Sequence, residues 1–397
     1  MRIAMVGTRG IPASYSGFET CVEELSARLV ARGHQVTVYC RSHHIDYPEA
    51  TYRGAHLVKL PTVRNKYLDT IVHTALSCLH LLSRRPDRPD RPGRPDVVMM
   101  FIAGNAPLAL LPRLAGLPVA LNVDGLDWQR DKWPGPAKRY IQFAEWAATK
   151  VPHAVVTDSR AVQRYYRARY GLATTCIAYG ATARHPPPGA TLARLGLEPG
   201  RYILYVGRLV PENCAHHLVD AFAALRDELP PGMKAVIVGD APYADDYIAA
   251  LRARARDAGP AIVMPGYIFG EGYWELTSNA HAYAFTSGAS GTHPALLEAM
   301  ACGNCVIANA QATNAETGGD AVLFYDGEQG GVDLAGQLRR VFADPTLLDD
   351  YGARAAQRVA ERYNWDRITD EYEALFRRLA VRRGRGKVEQ GWAGDQA

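Results

Sequence analysis

The chain has 397 residues, 48% of them hydrophobic, and a formal net charge of +4 at pH 7. This length is too great for one ordinary core and favours two domains. The weak charge, with no recognition motif or basic–aromatic interleaving, argues against a nucleic-acid partner, and the lack of a long uncharged apolar run argues against a membrane span.

Short apolar runs alternate with helical patterns in the first half of the chain. The predicted strands are 2–7, 35–40, 97–101, 118–122 and 154–157. The predicted helices are one that begins at a Ser16–Glu19 capping box and ends at Gly33, followed by 66–83, 136–149 and 159–170. Such alternation predicts βαβ units around a buried parallel sheet.

The same alternation restarts in the second half. The predicted strands are 202–207, 234–238, 261–264 and 282–285, and the predicted helices are 218–229, 246–257 and one from Pro294 to about Gly303. The proline-rich run 184–189 predicts the seam between the halves. The sequence therefore predicts an α/β protein with two Rossmann-like, doubly wound domains facing a cleft, into which the carboxyl ends of the strands point.

The low-complexity run 84–95 and the polar tail 381–397 lack the pattern of a packed core, and we expect both to be flexible. Seven scattered cysteines, mostly in apolar runs, predict reduced thiols in a cytoplasmic protein. Cys302 and Cys305 have the spacing of a metal or redox pair, but no second pair accompanies them, so a structural role is the better interpretation.

The stretch 287–306 is the most informative part of the sequence. A loop of small residues from Ser287 to Thr292 precedes a helix that begins at Pro294, and Glu298 lies one turn into that otherwise apolar helix. Loop N–H groups at a helix N-terminus favour an anion, and a carboxylate suits sugar hydroxyls. The pattern predicts a nucleotide-sugar site; the alternative is a carboxylate that only offsets the helix dipole.

Polar residues also follow strands of the first half. The loop from Gly7 through Gly10 to Gly17 lacks the GxGxxG pattern, so it suits a phosphate or an acceptor sugar rather than a dinucleotide, or is a turn that needs glycine. Asn105 follows another strand. Four residues after the next strand suit a polyol and phosphate surface, with a simple Asp-Gly turn as the alternative: Asp124, Asp127, Trp128 and Arg130.

In the second half, Arg208 directly follows a strand and a glycine, where its guanidinium could reach a diphosphate or stay solvated. With Pro294, Glu298 and Gly303, this pattern resembles the retaining glycosyltransferases of the GT-B fold, family 4 type. A closer resemblance, to the rhamnosyltransferase-like branch, rests on these motifs: Gly7-Thr-Arg-Gly-Ile-Pro12, Gly17-Phe-Glu19, Asn122-Val-Asp-Gly125 with Trp128 and Arg130, and Tyr179-Gly-Ala181.

The resemblance reaches to about residue 380 and implies a division of labour. Residues 1–182 would bind the acceptor, 183–363 the nucleotide sugar, and 364–380 would form a helix crossing back to the first domain. The implied catalytic residues are Asp124 and Arg208. The implied donor residues are Gly207, Arg208, Asn213, Gly266, Tyr267, Gly288, Ser290, Gly291, Thr292 and Glu298. The implied acceptor residues are Arg9, Gly10, Gly17, Phe18, Asn105, Trp128 and Arg130.

Two positions depart from the family pattern. Ser290 stands where the first of two glutamates usually holds the hydroxyls of the donor sugar, and Asn213 stands where a lysine usually contacts the diphosphate. Loss of one charged hydrogen bond costs about 1.5–3 kcal/mol of interaction free energy. The change at Ser290 therefore leaves the donor sugar open, and the change at Asn213 leaves the rate open.

The resulting hypothesis is a metal-independent, retaining hexosyltransferase with no cofactor and a UDP-, dTDP- or GDP-sugar as donor. A deoxyhexose such as rhamnose is one candidate sugar. The acceptor could be a sugar, a lipid-linked group or a small molecule, in glycan, cell-envelope or natural-product biosynthesis. Basic residues in the first half suit an anionic or membrane-attached acceptor, with peripheral contact at the inner membrane face, and suit a solvated surface equally well; these are Arg64, Lys66, Lys132, Lys138 and Arg139. The alternatives are a nucleotide-sugar epimerase and a non-catalytic binding protein.

Overall fold

The computed structural model describes residues 1–13, 17–65, 67–83, 93–123, 125–126, 128, 135–241 and 244–381. Its chain divides into two compact units. The first unit contains Met1–Tyr179 and the chain from Trp365 onward, and the second contains Gly180–Asn364. Each unit is an α/β layer structure with its own largely parallel sheet, as the alternating pattern predicts.

The first unit contains these strands: β1 (Arg2–Val6), β2 (Gln35–Arg41), β3 (Thr51–Tyr52), β4 (Ala55–Leu60), β5 (Val97–Phe101), β6 (Val119–Asn122), β7 (Ala154–Thr157) and β8 (Thr175–Cys176). Its helices are α1 (Gly17–Ala31), α2 (Asp69–Leu82), α3 (Leu110–Leu114), α4 (Gly135–Ala148) and α5 (Arg160–Tyr170), with a 3-10 helix at Ala103–Ala109. Sequence analysis misses β3, β4 and β8. Two of these are only two residues long, and β4 interrupts its apolar run with His56 and Lys59.

The eight strands lie in the order β3-β4-β2-β1-β5-β6-β7-β8. Only the β3–β4 pair is antiparallel among these described strands. Helices α2, α4 and α5 pack on one face of this sheet, where they share a core with Val98 and Met100. Because helices cover the sheet, all five residues of β5 are fully buried, which explains its unbroken apolar sequence.

The second unit has a six-stranded parallel sheet in the order β11-β10-β9-β12-β13-β14. Its strands are β9 (Tyr202–Val206), β10 (Lys234–Val238), β11 (Ile262–Gly266), β12 (Ala282–Phe285), β13 (Val306–Asn309) and β14 (Leu323–Tyr325). Its helices are α6 (Ala190–Leu195), α7 (His216–Ala224), α8 (Asp245–Ala258), α9 (Glu271–Ser278), α10 (Pro294–Ala301), α11 (Ala312–Gly318), α12 (Gly331–Ala343) and α13 (Thr346–Arg362).

The last described helix, α14 (Trp365–Val381), belongs to the first unit. It packs against α1 and buries Tyr372 and Phe376 completely. The Tyr372 hydroxyl accepts a hydrogen bond from Nδ2 of Asn122 at the end of β6, over 2.9 Å. Arg32 pairs with Asp370 at 2.6 Å on the outside of the same contact.

The proline-rich run 184–189, predicted as the seam, lies inside the second unit. Glu275 of α9 anchors its end, because its carboxylate accepts hydrogen bonds from the backbone N–H groups of Gly189, Thr191 and Leu192 at 2.9, 3.1 and 2.8 Å. These N–H groups lie at the start of α6, where no preceding helical turn supplies carbonyl oxygens to accept their hydrogen bonds. Burial acts to raise the pKa of Glu275, but the backbone donors outweigh it and the pKa is lowered.

We expect Glu275→Gln to lower the free energy of unfolding by about 1.5–3 kcal/mol at pH 7, because charged hydrogen bonds become neutral ones. A lowered folded-state pKa stabilises the fold above the unfolded pKa and loses that effect as the pH falls through the folded pKa. The deficit of the variant should therefore shrink in acid. Denaturant unfolding at neutral and acidic pH measures this.

The matched control is Glu271→Gln on the same helix. Glu271 is 83% exposed and pairs with Arg184 at 3.7 Å, a surface contact worth about 0–1 kcal/mol. Equal losses for the two variants would contradict the capping role of Glu275.

Candidate functional site

Loops at the carboxyl ends of neighbouring strands come together in the second unit. β9 leads into Gly207 and Arg208, β10 leads into Gly239, and β12 leads into the loop 286–293 before α10. Parallel strands end at one edge of a sheet, which is where ligands of such folds gather. The backbones approach so closely that a Cβ on Gly239, at φ +145°, would lie 1.8 Å from the Gly207 carbonyl oxygen. Glycine is therefore required there.

The loop between β12 and α10 is closed by local hydrogen bonds. The Ser287 hydroxyl accepts from the Ala289 N–H at 3.2 Å, and Nε2 of His293 lies 3.0 Å from the Ala289 carbonyl oxygen. Gly291 has a φ of 107°, which favours glycine. These contacts hold four predicted donor residues before the N-terminus of α10, an environment that favours an anion; they are Gly288, Ser290, Gly291 and Thr292.

Asn213, which replaces the usual lysine of the resembled family, uses its amide to hold two loops together. Its Nδ2 donates to the Arg208 carbonyl at 2.9 Å, and its Oδ1 accepts from the Ser287 hydroxyl at 3.0 Å. The Thr286 hydroxyl donates to the Asn213 carbonyl at 2.7 Å. Asn213 is buried. The structure thus gives it a bracing role that the sequence does not indicate.

Glu298 lies on α10 and accepts a hydrogen bond from the Tyr273 hydroxyl of α9 at 2.5 Å. Burial raises the pKa of Glu298 to about 7, against the opposing effects of the Tyr273 hydrogen bond and of Arg184. The carboxyl group is therefore close to half ionised at neutral pH. It could act either as an acceptor for sugar hydroxyls or as a protonated donor, which a simple dipole-offsetting carboxylate would not do.

An open aromatic pair follows β11 at the same sheet edge. The rings of Tyr267 and Phe269 stack with centroids 5.3 Å apart at 22°, and they are 41% and 61% exposed. The Tyr267 hydroxyl donates to the Asp240 carbonyl at 2.9 Å, which fixes the ring beside the predicted residue Gly266. Planar exposed faces of this kind suit stacking with a base.

In the first unit, the loop after β1 contains two glycines with positive φ, as the glycine-containing sequence suggests. Gly7 and Gly10 have φ values of 104° and 109°, and a Cβ on them would meet Phe101 O at 2.6 Å and Cys40 Sγ at 2.5 Å. The Arg9 N–H donates to Glu19 at 3.0 Å. Glu19 was predicted to complete a capping box with Ser16, which lies outside the described residues.

Two predicted acceptor residues of the first unit are packing residues in this structure. Asn105 is fully buried, and its Nδ2 donates to the Phe101 carbonyl at 2.8 Å. Phe18 follows Gly17 at the start of α1 and packs edge-on against Phe101 and Tyr179, at 5.9 and 6.4 Å. Both side chains make contacts with Phe101 at the end of β5; Asn105 is fully buried and Phe18 is half-buried.

Trp128 belongs to a cluster of aromatic and charged groups. Its indole N–H donates to the Tyr165 hydroxyl at 3.2 Å, and Arg169 lies 5.5 Å from its ring centroid. Glu145 accepts from the Tyr165 and Tyr170 hydroxyls at 2.8 and 2.6 Å. The other residues predicted for this surface lie outside the described residues: Asp124, Asp127 and Arg130.

A cluster of titratable side chains that begins just after β2 was not predicted from the sequence. The Nε2 atoms of His43 and His44 lie 3.9 and 3.4 Å from Oδ2 of Asp69, and the ligand atoms of the three residues lie within 4.8 Å of one another. That same Oδ2 accepts a hydrogen bond from Arg41 at 2.6 Å. Burial lowers the pKa of His44 to about 4, with further lowering by Arg9. Because positive charge already surrounds this group, an anionic or hydroxyl-bearing ligand fits it better than a divalent cation.

The cysteines agree with the sequence prediction of reduced thiols. All seven are free, and Cys302 and Cys305 are buried. The Cys302 thiol donates to the Arg184 carbonyl at 3.3 Å. Of the residues at the candidate site, sequence reasoning missed Phe269 and Tyr273. Phe269 had a signal, since a second aromatic follows Tyr267, whereas Tyr273 is separated from Glu298 by 25 positions.

Comparisons with known proteins agree with this geometry. Residues 16–180 match the glycosyl transferase 4-like domain, and residues 193–358 match the glycosyl transferases group 1 family. The chain is 24% identical to the alpha-maltose-1-phosphate synthase of Mycolicibacterium smegmatis over 427 aligned positions, covering 96% of this chain and 100% of that protein.

Solved structures show the same fold. A sucrose-phosphate synthase from Thermosynechococcus elongatus superposes with a TM-score of 0.78 at 21% identity, over 96% of this chain and 99% of that one. Anabaena HepE, in complex with UDP and glucose, gives 0.75 at 17% identity, over 95% of this chain and 100% of that one. The chain is therefore a GT-B-type glycosyltransferase, built from a glycosyl transferase 4-like domain and a group 1 glycosyltransferase domain.

Proposed function

We propose that this glycosyltransferase moves a sugar from a nucleoside-diphosphate sugar to an acceptor hydroxyl, with retention at the anomeric carbon. The observation that carries this proposal is made at the edge of the second sheet. Arg208 and the loop before α10 lie there and suit phosphate groups, and Glu298 of α10 suits sugar hydroxyls. The structures of Anabaena HepE with UDP and with UDP-glucose support a nucleotide donor.

Each part of a nucleotide sugar has a counterpart at that edge. The Tyr267–Phe269 pair offers its exposed faces to the base, and Glu298 accepts hydrogen bonds from the ribose hydroxyls. Tyr273 donates to one oxygen of Glu298 and so orients the other toward the ribose. The base is the least restricted part, because stacking selects for planarity rather than for uracil, thymine or guanine.

The diphosphate is the group on which the rate depends. When the bond between the anomeric carbon and the phosphate oxygen breaks, the electron pair leaves with the diphosphate. The acceptor oxygen bonds to the anomeric carbon on the same face, and its hydroxyl proton passes to the departing diphosphate. Arg208 and the N-terminal end of α10 stabilise the departing charge. Asn213 adds no charge, but it fixes the Arg208 backbone against the loop at Ser287, over 2.9 and 3.0 Å. Catalysis in this proposal needs no metal ion.

The acceptor side of the proposal rests on the first unit. Arg9 and the pair His43–His44 are half-buried at its sheet edge and offer hydrogen-bonding groups there, whereas Arg41 is buried against Asp69. Asp124 keeps its proposed role of orienting donor or acceptor near the anomeric carbon. The resemblance to the rhamnosyltransferase-like branch supports a deoxyhexose as the transferred sugar.

A thermal-shift screen of UDP-, dTDP- and GDP-sugars, followed by product analysis with and without pooled acceptors, tests the proposal. A ligand that binds only the folded state raises the melting temperature. The expected result is one preferred donor and acceptor-dependent release of the nucleoside diphosphate, unaffected by chelator. Donor isomerisation without acceptor would instead identify an epimerase, and binding without either reaction would identify a non-catalytic protein.

We expect donor affinity to rise between pH 6 and pH 8, because ionisation of Glu298, with its pKa of about 7, creates the acceptor for the ribose hydroxyls. Glu298→Gln should weaken binding by roughly tenfold at pH 8 and flatten this dependence. Calorimetry with the preferred donor at several pH values measures both. Glu361→Gln, at an exposed position of α13, is the control; a pH dependence that persists in Glu298→Gln would contradict the assignment.

Arg208→Ala should lower kcat more than it raises the KM for the donor, because the leaving diphosphate gains charge in the transition state. The expected loss is roughly 100-fold or more in kcat. Arg201→Ala provides the matched control, since Arg201 is exposed just before the opposite end of β9. Wild-type turnover of Arg208→Ala at saturating donor would remove the catalytic role.

A further inference from the structure

The solvent side of α2 carries leucines where a surface helix normally carries charge. After Asp69 at its start, the helix contains no Lys, Arg, Asp or Glu. Leu76, Leu79 and Leu82 are 36%, 54% and 37% exposed, while Cys78 on the other side is buried. A helix that is apolar all round is normally covered on every side. The outer side of α2 is therefore exposed, although its apolar composition predicts that another surface packs against it.

Neighbouring helices extend this apolar surface. On α3, Leu110 and Leu114 are 46% and 77% exposed, and on α4, Phe143 and Trp146 are 51% and 49% exposed. The two aromatic rings stack with centroids 5.9 Å apart. The three helices are neighbours, because α2 contacts α3 and both α2 and α4 pack on the 3-10 helix that leads into α3. Most of the well-exposed large hydrophobic side chains in the described residues lie on or just before these helices.

Cations border the apolar side chains. Arg139 is exposed on α4 about one turn before Phe143, and Lys150 is exposed in the turn that directly follows α4, four residues after Trp146. Arg113 is exposed between the two leucines of α3. Aromatic and leucine side chains flanked by Lys and Arg are the pattern of a surface that rests in a lipid–water interface.

We propose that the α2–α4 face, defined by Leu76, Leu79, Leu114, Phe143 and Trp146, binds the surface of an anionic lipid bilayer. The apolar side chains enter the boundary between headgroups and acyl chains, and the flanking cations bind lipid phosphates. The face rests on the bilayer rather than crossing it. α2 has 14 residues, whereas a span needs about 20, and no helix in the described ranges is both long and apolar enough to cross.

This surface leads directly to the sheet edge proposed for the acceptor. α2 begins at Asp69, the residue that groups with His43 and His44. A bilayer against α2 would bring lipid-borne headgroups toward that edge, which deepens the proposed function by favouring a lipid-linked acceptor. The binding itself requires no transfer reaction, so vesicle binding and catalysis can fail separately.

Vesicle co-sedimentation of the full chain tests the proposal. Vesicles of phosphatidylcholine with phosphatidylglycerol should bind the protein, and phosphatidylcholine alone should bind it more weakly. The double variant Phe143→Gln with Trp146→Gln should lower the partition coefficient by at least about tenfold, because it removes two apolar side chains from the interface. Arg139→Gln with Lys150→Gln should lower it by about fivefold per charge at low salt.

Val332→Gln is the matched control, since Val332 is a hydrophobic residue of the second unit with 74% exposure. It should bind vesicles as the wild type does. Circular dichroism and the melting temperature of each variant establish that it is folded. A blue shift of fluorescence on adding vesicles, lost in Trp146→Phe, would place this indole in the interface; with six tryptophans in the chain, that difference is the informative signal.

Absence of binding to anionic vesicles would overturn the proposal, as would equal binding by the wild type and Phe143→Gln with Trp146→Gln. Light scattering distinguishes a second occupant. If the wild type is a dimer, the aromatic variant is a monomer and neither binds vesicles, the face is an interface between two copies of this chain and the membrane assignment is wrong.

Discussion

The near-contact of two backbones at Gly207 and Gly239 governs the ligand edge of the second unit. No side chain fits between them, because a Cβ on Gly239 would lie 1.8 Å from the Gly207 carbonyl oxygen. β9 ends at Val206, so that Arg208 follows this contact directly at the sheet edge. Asn213 then ties the Arg208 carbonyl to the Ser287 loop. The backbone of Arg208 is thus held by close backbone packing and by one amide.

The electrostatics of this edge depend on an uncharged amide at Asn213 and on the carboxyl group of Glu298. Asn213 stands where the resembled family usually has a lysine, and its amide forms two hydrogen bonds instead of supplying a charge. Glu298 has the opposite property: its carboxyl group is held near its point of half ionisation by burial, with a pKa of about 7. Under the proposed function, donor recognition is therefore sensitive to pH, and the placement of the leaving group is sensitive to packing around Asn213.

Sequence patterning located most strands because buried parallel strands are short and continuously apolar; β9 was predicted at 202–207 and runs from Tyr202 to Val206. It also singled out Glu298 and the loop before it. Contacts between distant positions were beyond it, since nothing local links Tyr273 to Glu298 or His43 to Asp69. The burial of Asn105 was equally beyond the sequence. Its place after a strand is visible there, but the contact of its amide with the Phe101 carbonyl is not.

The assignment of α14 to the first unit has a consequence for biosynthesis. The second unit is one continuous stretch of chain, whereas the first is completed by α14, which follows the second unit in the chain. While the ribosome synthesises Gly180–Asn364, the apolar side of α1 and the amide of Asn122 still await Tyr372 and Phe376. The first unit therefore reaches its final packing only after the whole second unit has been translated, and until then the apolar side of α1 stays uncovered.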